Sequence, residues 1–343
     1  MTLQNEYVAT LPLVLDEVEV VGVERVSPSF VRVELGGPAV GRIGVDGALY
    51  DQRFKVIFPN AAGRLPSFAD ATEDWWSTWT AIPEPERGVM RTYTIRDLVG
   101  EGNDTRLVVD IVVHEDDEPT QPHDASGSSP AAAWSPEGTG NRWALQAAVG
   151  QRLMVLAPRR GHAFGGIEWA PDGADRLLLV GDETAVPAIR GVLRDLPADA
   201  SGAVFLEVPL GADVLDDVRA PEGVSVHWLP RDGAARGELV HAAVLAHLTG
   251  TPEAVAAAAE PVVADDEVDP ELWETPAYSS SGEEVVGATS VPADTPYAGL
   301  YAWIAGESKV VTGLRRILVK DLGLDRGQVA FMGYWREGVA MRS

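Results

Sequence analysis

The hydrophobic pattern of the chain changes near its middle, and this change constrains the fold more than any other feature. From residue 18 to 114, short β-rich runs follow one another at close spacing, which predicts a small antiparallel barrel. These runs are residues 18–26, 31–35, 54–58, 92–95 and 107–113. After residue 170, apolar strands alternate with helical segments, which predicts a parallel α/β domain.

The 343 residues therefore divide into two predicted domains. We predict a barrel over 1–170 with an inserted loop at 115–138. An α/β domain follows over 171–343, with an acidic insertion at 249–296 that either wraps the surface or is partly disordered. Its predicted strands are 176–180, 203–208, 224–229, 300–305 and 329–334, and its predicted helices are 183–196 and 308–322.

Composition excludes several classes of function. The formal net charge of −25 argues against nucleic acid and anionic membranes as partners. The chain has no cysteine, which excludes disulfides, thiolate zinc sites and Cys-held iron–sulfur clusters, and its six histidines form no metal-binding spacing. No apolar run is long enough to span a membrane and no secretory signal is recognisable, so we expect a cytoplasmic protein. Any redox chemistry then requires a bound organic cofactor.

The segment Arg91–Arg96 carries an arginine, an aromatic ring and hydroxyls on one predicted strand. Because strand side chains alternate, Arg91, Tyr93 and Ile95 share one face, and Thr92 and Thr94 share the other. A guanidinium suits a phosphate and a tyrosine ring suits a planar heterocycle, so the strand is equipped for a flavin. The alternative is an ordinary barrel strand with two exposed arginines.

Three further segments carry polar groups at the ends of predicted strands. Asp110, Val112 and His114 share a strand face that suits the ribose or adenine of a nucleotide. The alternative is an Asp–His pair on a solvent-exposed strand face without a ligand. Gly138–Ala144 places glycines before a short helix, where a diphosphate or a plain Asn141 cap fits. The turn 181–189 lies where a dinucleotide-binding loop is expected, but its sequence is not G-x-G-x-x-G. Its acids Asp182 and Glu183 would repel a pyrophosphate; alternatively, they stabilise the dipole of the helix that follows.

Together these segments resemble the siderophore-interacting proteins, a branch of the ferredoxin-reductase-like flavoproteins that includes ferric-siderophore reductases. Six motifs occur in the family's order across nearly the whole chain. They are Arg91–Arg96, Asp110–His114, Gly138–Ala144, Gly181–Ile189, Tyr301–Glu307 and Gly333–Arg336. The family usually has Gly-Pro-Ala-Ser where this chain reads Gly138–Asn141, and Ser129–Ala132 is a competing match; the Arg-Trp-Ala after Asn141 favours the later site.

The resemblance implies FAD in the barrel domain and a nicotinamide nucleotide, NADPH or NADH, at the α/β domain. It implies that Arg91 holds the flavin phosphate, Tyr93 packs on the isoalloxazine and Thr94 lies near its polar edge. The remaining cofactor-binding candidates are Thr92, Asp110, Val112, His114, Gly138, Thr139, Gly140, Asn141, Trp143, Asp182, Glu183, Thr184 and Trp335. For a 2′-phosphate, Arg231 and Arg190 are candidates.

The implied activity is reduction of a ferric siderophore, with electrons from NAD(P)H or a ferredoxin and release of Fe(II) in the cytoplasm. No side chain needs to act as an acid or base in the metal step, so no catalytic residue is predicted. Basic residues that suit an anionic siderophore are Lys55, Arg159, Arg160, Lys309, Arg316 and Lys320; on the last helix they alternatively form a solvated face. We expect a monomer. Two alternatives are a flavoprotein reductase with another acceptor and a non-catalytic siderophore-binding protein.

Overall fold

The computed structural model describes residues 6–72, 74–114, 138–250, 273–274 and 296–338. Contacts divide these residues into two units. The first unit comprises the residues up to 166 except 27–29, and the second comprises 27–29 together with the residues from 167 onward. Most of the predicted insertions, 115–138 and 249–296, and the competing match at Ser129–Ala132, lie outside the described residues.

The first unit is built on a seven-stranded sheet with the strand order β4-β3-β7-β1-β2-β6-β5. Its strands are β1 (Leu13–Ser27), β2 (Phe30–Gly36), β3 (Arg53–Phe58), β4 (Val89–Thr94), β5 (Asp97–Val99), β6 (Arg106–Val112) and β7 (Arg152–Pro158). Its helices are α1 (Glu6–Thr10), α2 (Trp75–Ala81), α3 (Glu84–Arg87) and α4 (Thr139–Leu145). Sequence periodicity missed β5, α1, α2 and α3, which are short and lack a long amphipathic pattern.

The sheet curls because its two edge strands are neighbours along the chain. β4 and β5 lie at opposite edges of the sheet, yet only Ile95 and Arg96 separate them. The Arg96 backbone N–H donates to the Val108 carbonyl of β6 at 2.9 Å, and Ile95 N–H donates to Gln52 O at 2.8 Å. The antiparallel barrel that the sequence predicts is therefore confirmed as a curled, partly closed sheet.

Alternate residues of the strands fill the interior of this curled sheet, as period-2 patterning requires. These buried residues include Val31, Val33, Leu35, Phe54, Val56, Phe58, Leu107, Val109, Ile111, Leu153, Val155 and Ala157. Residues of the opposite face, such as Ile57, Met90 and Met154, pack under Val8 of α1 and Trp79 of α2. Each fully buried side chain of this size contributes about 1.5–3 kcal/mol to stability.

The second unit is a six-stranded sheet with the order β10-β9-β8-β12-β13-β11, parallel except for β11. Its strands are β8 (Arg176–Gly181), β9 (Gly202–Val208), β10 (Val224–Pro230), β11 (Trp273–Glu274), β12 (Leu300–Glu307) and β13 (Val329–Trp335). Its helices are α5 (Val186–Asp195), α6 (Glu238–Thr249) and α7 (Ser308–Arg316). The predicted parallel α/β class is confirmed.

Two local features of this unit differ from the sequence prediction. The helix predicted over 183–196 begins as a 3₁₀ turn at Glu183–Ala185, and the helix predicted over 308–322 becomes a π-helical turn at Ile317–Asp321. α6 was not predicted. Val240 and Val244 of α6 and Leu314 of α7 pack on one sheet face in a common core. In the described part of the chain, no helix is long and apolar enough to cross a membrane.

Candidate functional site

Strand β4 presents its residues to two different environments. The register with β3 sets Arg91 opposite Val56 and Tyr93 opposite Phe54, on the face that carries the barrel core. Thr92 lies opposite Lys55 on the other face, and there the Lys55 Nζ donates to the Thr92 hydroxyl at 3.2 Å. The predicted division of this strand into two faces is confirmed, whereas the ligands of its residues stay a prediction.

Tyr93 contacts the start of α4. Its ring meets the Phe58 ring edge-on at 6.2 Å between centroids, and burial raises the pKa of its hydroxyl. A Cβ added at Gly140 would lie 2.1 Å from the Tyr93 hydroxyl oxygen, so only glycine allows this close approach. The strand predicted to hold the flavin ring and the turn predicted to hold its pyrophosphate are thus in direct contact.

Helix α4 is also bound to the end of β6. The Asn141 side chain accepts from His114 N–H at 3.0 Å and donates to His114 O at 3.1 Å. Trp143 packs on Phe58 with 5.3 Å between ring centroids. Through these contacts, α4 brings three of the sequence-predicted flavin segments together at one place on the barrel.

Asp110, Val112 and His114 lie on the face of β6 that points away from the barrel core, because Val109, Ile111 and Val113 occupy the core face. The nearly buried Asp110 carboxylate accepts from Arg32 Nε at 2.7 Å and Arg32 Nη2 at 2.9 Å. The Arg96 guanidinium lies 3.7 Å from it. This two-point ion pair joins β2 to β6, so Asp110 has a structural partner in addition to its predicted cofactor role.

The barrel carries two partly desolvated cations beside the Tyr93 segment. Burial lowers the pKa of Lys55, with Arg53 as a second cause, and burial also lowers the pKa of Arg91. Arg91 Nη1 donates to its neighbour's carbonyl, Met90 O, at 2.7 Å. Among the described residues, no carboxylate lies within ion-pair distance of Lys55. A cation in such surroundings is stabilised by an anion, so Arg91, on the core-facing side of β4, fits a phosphate of FAD, whereas Lys55 lies on the opposite face of the sheet.

The other predicted siderophore-binding cations are spread over both units. Arg159 follows β7 and donates two hydrogen bonds to Leu13 O, at 3.2 and 3.0 Å, and burial together with Arg42 lowers its pKa. Lys309 lies in the first turn of α7 in the second unit, and Arg316 is the last residue of that helix. Their participation in one substrate site stays a prediction.

In the second unit, Asp182 links three strand ends at the carboxyl edge of the sheet. Its Oδ1 accepts from Thr184 N–H at 2.8 Å and from the Thr184 hydroxyl. Its Oδ2 accepts from Glu307 N–H at 2.7 Å and from Trp335 Nε1 at 2.8 Å. Burial, reinforced by Glu183, raises the pKa of Asp182 to about 6.

Glu183 is completely buried and forms an ion pair with Arg231, which follows β10. Arg231 Nη1 and Nη2 donate to the two Glu183 oxygens at 2.9 and 3.1 Å, and Nη1 lies 3.4 Å from Glu207. Glu207 in turn accepts from the first turn of α6, from Gly237 N–H at 2.8 Å and Val240 N–H at 3.2 Å. The other predicted 2′-phosphate ligand, Arg190, is buried and lies 2.6 Å from Asp217.

Trp335 ends β13 and is held on two sides. Its indole N–H donates to Asp182, and the Arg236 guanidinium lies over its ring at 4.5 Å from the centroid. Arg236 also forms an ion pair with the exposed Glu337 at 3.5 Å. Trp335 is therefore fixed within the second unit at the edge where the sequence predicted a nicotinamide.

Sequence reasoning missed Glu207 as part of this edge. The signal was present, since Glu207 is the only charged residue in the apolar run 202–208. A lone acid in a buried strand requires a partner, because burial of an unpaired charge is costly. What the sequence did not reveal is that the partners are Arg231 and the amino end of α6.

Two family models match this chain. The one described as "Siderophore-interacting FAD-binding domain" matches residues 19–162, and the one described as "Siderophore-interacting protein" matches residues 174–338. The two matched ranges correspond to the curled antiparallel sheet and the parallel α/β unit. The FAD-binding match covers β4, the end of β6 and α4, the segments that the structure brings together.

Curated relatives and solved structures similar to this chain include siderophore-related proteins. An uncharacterized protein of Mycobacterium tuberculosis is 33% identical over 63% of this chain and 65% of its own length, so the match spans less than two thirds of that relative. Ferric vibriobactin reductase ViuB of Vibrio cholerae is 26% identical over 98% of this chain and 93% of its own. A siderophore utilization protein from T. fusca has a TM-score of 0.61 and 28% identity, with 97% of both chains covered.

Proposed function

The chain belongs to the siderophore-interacting protein family, and on this premise we propose that it is an FAD-dependent ferric-siderophore reductase. In this proposal it passes electrons from NAD(P)H or a ferredoxin through the flavin to a ferric siderophore and releases Fe(II) in the cytoplasm. The observation that carries the proposal is the junction of β4, α4 and the end of β6, because it lies within the range matched by the FAD-binding domain.

The residues of this junction suit each part of FAD. Arg91 would hold a phosphate, Tyr93 would pack against the isoalloxazine, and the turn at Gly138–Asn141 would receive the pyrophosphate. When bound, FAD supplies the exchange between two-electron and one-electron transfer that a nicotinamide donor and an iron acceptor require. Tyr93 contacts the turn at Gly140, so the strand proposed to bind the ring lies directly beside the turn proposed to receive the pyrophosphate.

The acceptor is proposed from the chemistry of iron and from the local charge. Siderophores hold Fe(III) with hard, anionic oxygens, and reduction to Fe(II) weakens that binding. Lys55 offers a cation without a carboxylate partner among the described residues, in a protein whose net charge of −25 repels anions elsewhere. Lys55 would thus attract an anionic ferric complex to the barrel, with Arg159 of the same unit as a further proposed contact. The roles of Lys309 and Arg316, in the second unit, stay predictions. The name of the relative ViuB supports this class of acceptor.

The test of this function is the visible spectrum of the purified protein loaded with FAD. Under anaerobic conditions, flavin bands should bleach on addition of NADH, NADPH or a reduced ferredoxin, and should return on addition of a ferric siderophore. Return with quinones but not with the ferric chelate would indicate a reductase with another acceptor. Chelate binding by a protein that takes up no FAD would refute the proposal and leave a siderophore-binding protein.

Arg91 can be tested separately from the activity. Arg91→Ala should weaken FAD binding by about 1.5–3 kcal/mol, which is the contribution of a hydrogen bond to a charged group. Arg106→Ala is the matched control, because Arg106 is an exposed barrel arginine that pairs with Glu34. Equal FAD affinity of the two variants, measured by fluorescence titration, would exclude Arg91 from the flavin site.

A further inference from the structure

The carboxyl edge of the parallel sheet is where an open α/β domain would bind the adenosine diphosphate half of a dinucleotide. Such ligands bind at the topological switch point of the sheet, with the pyrophosphate on the turn after the first strand. An acid at the end of the next strand takes the ribose, and a nearby arginine takes a 2′-phosphate. In this chain the switch point lies between β8 and β12, and the corresponding positions are the turn after β8, the end of β9 and the residue after β10.

The turn after β8 offers two acids in place of a pyrophosphate site. The Asp182 carboxylate already accepts hydrogen bonds from Thr184, Glu307 and Trp335. It also approaches β12 closely, since a Cβ added at Gly306 would lie 2.7 Å from the carboxyl group. The cavity at this edge has a volume of about 10 Å³, which is about the space that one water molecule requires.

The ribose position is occupied as well. Glu207 is the acid near the end of β9, the strand that follows β8, and it is almost completely buried. Both of its oxygens accept from backbone N–H groups in the first turn of α6. A ribose hydroxyl could bind Glu207 only if the start of α6 moved away from the sheet.

The third position carries an arginine that is already neutralised. Arg231 follows β10 and donates to both oxygens of the buried Glu183, with Glu207 as a second acid beside it. A 2′-phosphate would have to compete with a two-point ion pair and would then meet two carboxylates. The groups that would bind the pyrophosphate, the ribose and the 2′-phosphate are therefore already bonded to other groups of the protein.

We infer that the second unit does not recognise a dinucleotide through its adenosine diphosphate half, because the Glu183–Arg231–Glu207 triad closes that position. This inference rests on the proposed function only in naming the electron donor. A nicotinamide donor would then be recognised through its nicotinamide mononucleotide half alone.

Calorimetry with fragments of the dinucleotide tests the inference without any turnover. We expect 2′,5′-ADP and ADP-ribose to show no saturable binding up to millimolar concentration. Micromolar binding of either fragment would overturn the inference. In flavin reduction, the Kd values of reduced nicotinamide mononucleotide and NADH should agree within about threefold. If the protein bound the diphosphate of NADH, NADH would bind more tightly by roughly 100-fold or more, because each charged contact contributes about tenfold.

A variant that gains binding of 2′,5′-ADP tests whether the Glu183–Arg231–Glu207 triad is what excludes it. Glu183→Gln keeps the shape of the side chain but removes the charge that holds Arg231. It should make the binding of 2′,5′-ADP saturable below about 1 mM, a gain of at least about tenfold over the wild type. Glu337→Gln is the matched control, because it removes one negative charge from the same unit at an exposed position. A folded Glu183→Gln variant, checked by its thermal melt, that gains no more than the control would overturn the role of the triad.

The failure of the proposed function would be recognised independently. If flavin reduced photochemically is not reoxidised by a ferric siderophore, the reductase proposal fails. The fragment-binding results stand or fall separately, because they require neither flavin nor iron.

Discussion

The pH dependence of folding should report on Asp182, the carboxylate that joins β8, β12 and β13. Burial and the neighbouring Glu183 raise its pKa from 3.8 to about 6. Because the folded-state pKa is raised, protonation favours the folded protein. The stabilisation is fully present below pH 3.8 and is lost as the pH rises through 6. A rise of this size corresponds to a few kcal/mol in total, of which roughly 1 kcal/mol is lost between pH 5 and 7.5.

The perturbation is Asp182→Asn, which keeps the volume of the side chain and removes its titration. The amide places an NH₂ group opposite N–H donors such as Trp335 Nε1, so the variant loses hydrogen bonds, but this loss does not change with pH. The informative quantity is therefore the difference in the free energy of unfolding between wild type and variant. It should fall by roughly 1 kcal/mol from pH 5 to pH 7.5.

Urea denaturation at several pH values provides this difference, with unfolding of the second unit identified as the transition that Asp182→Asn shifts. Asp74→Asn in the first unit is the control that should show no change between pH 5 and 7.5. Asp74 caps α2, and the Ser77 hydroxyl lowers its pKa, so its contribution to stability is constant in this range and is lost only as the pH falls below 3.8. If wild type and Asp182→Asn change equally between pH 5 and 7.5 while both remain folded, the reasoning about Asp182 is refuted.

Two further changes test the barrel. Gly140→Ala should destabilise the folded protein by about 1–3 kcal/mol and weaken FAD binding, because the new methyl group meets the Tyr93 hydroxyl. Adding Tyr93→Phe should restore part of the folding stability, as measured by thermal melts; no recovery in the double variant would contradict this contact. Asp110→Ala should destabilise the protein by about 2–3 kcal/mol in urea, since it leaves Arg32 without its acid. The combined Arg32→Met and Asp110→Leu should cost less than the sum of the single changes, and additivity would argue against their pairing.

The sequence was sufficient for the architecture because the two halves of the chain have different hydrophobic periods. Alternation at β2, β3 and β6 predicted a two-faced antiparallel sheet, and the register of these strands agrees with it. Short elements such as α2 and β5 were not predicted, because they contain too few residues to show a hydrophobic period. The helix predicted beyond Arg316 was also too regular, because periodicity does not distinguish an α-helical turn from the π-helical turn at Ile317–Asp321.

For the candidate site, the sequence by itself predicted which residues would carry the chemistry, because a strand places Arg91 and Tyr93 on one face whatever surrounds it. Only the tertiary structure decided which of the candidates meet and which are already engaged. The contact of Tyr93 with Gly140 depends on how α4 crosses the barrel, and the pairing of Glu183 with Arg231 joins residues 48 positions apart. A local pattern contains no information on such pairings, since they arise when separate strands end at the same edge of a sheet.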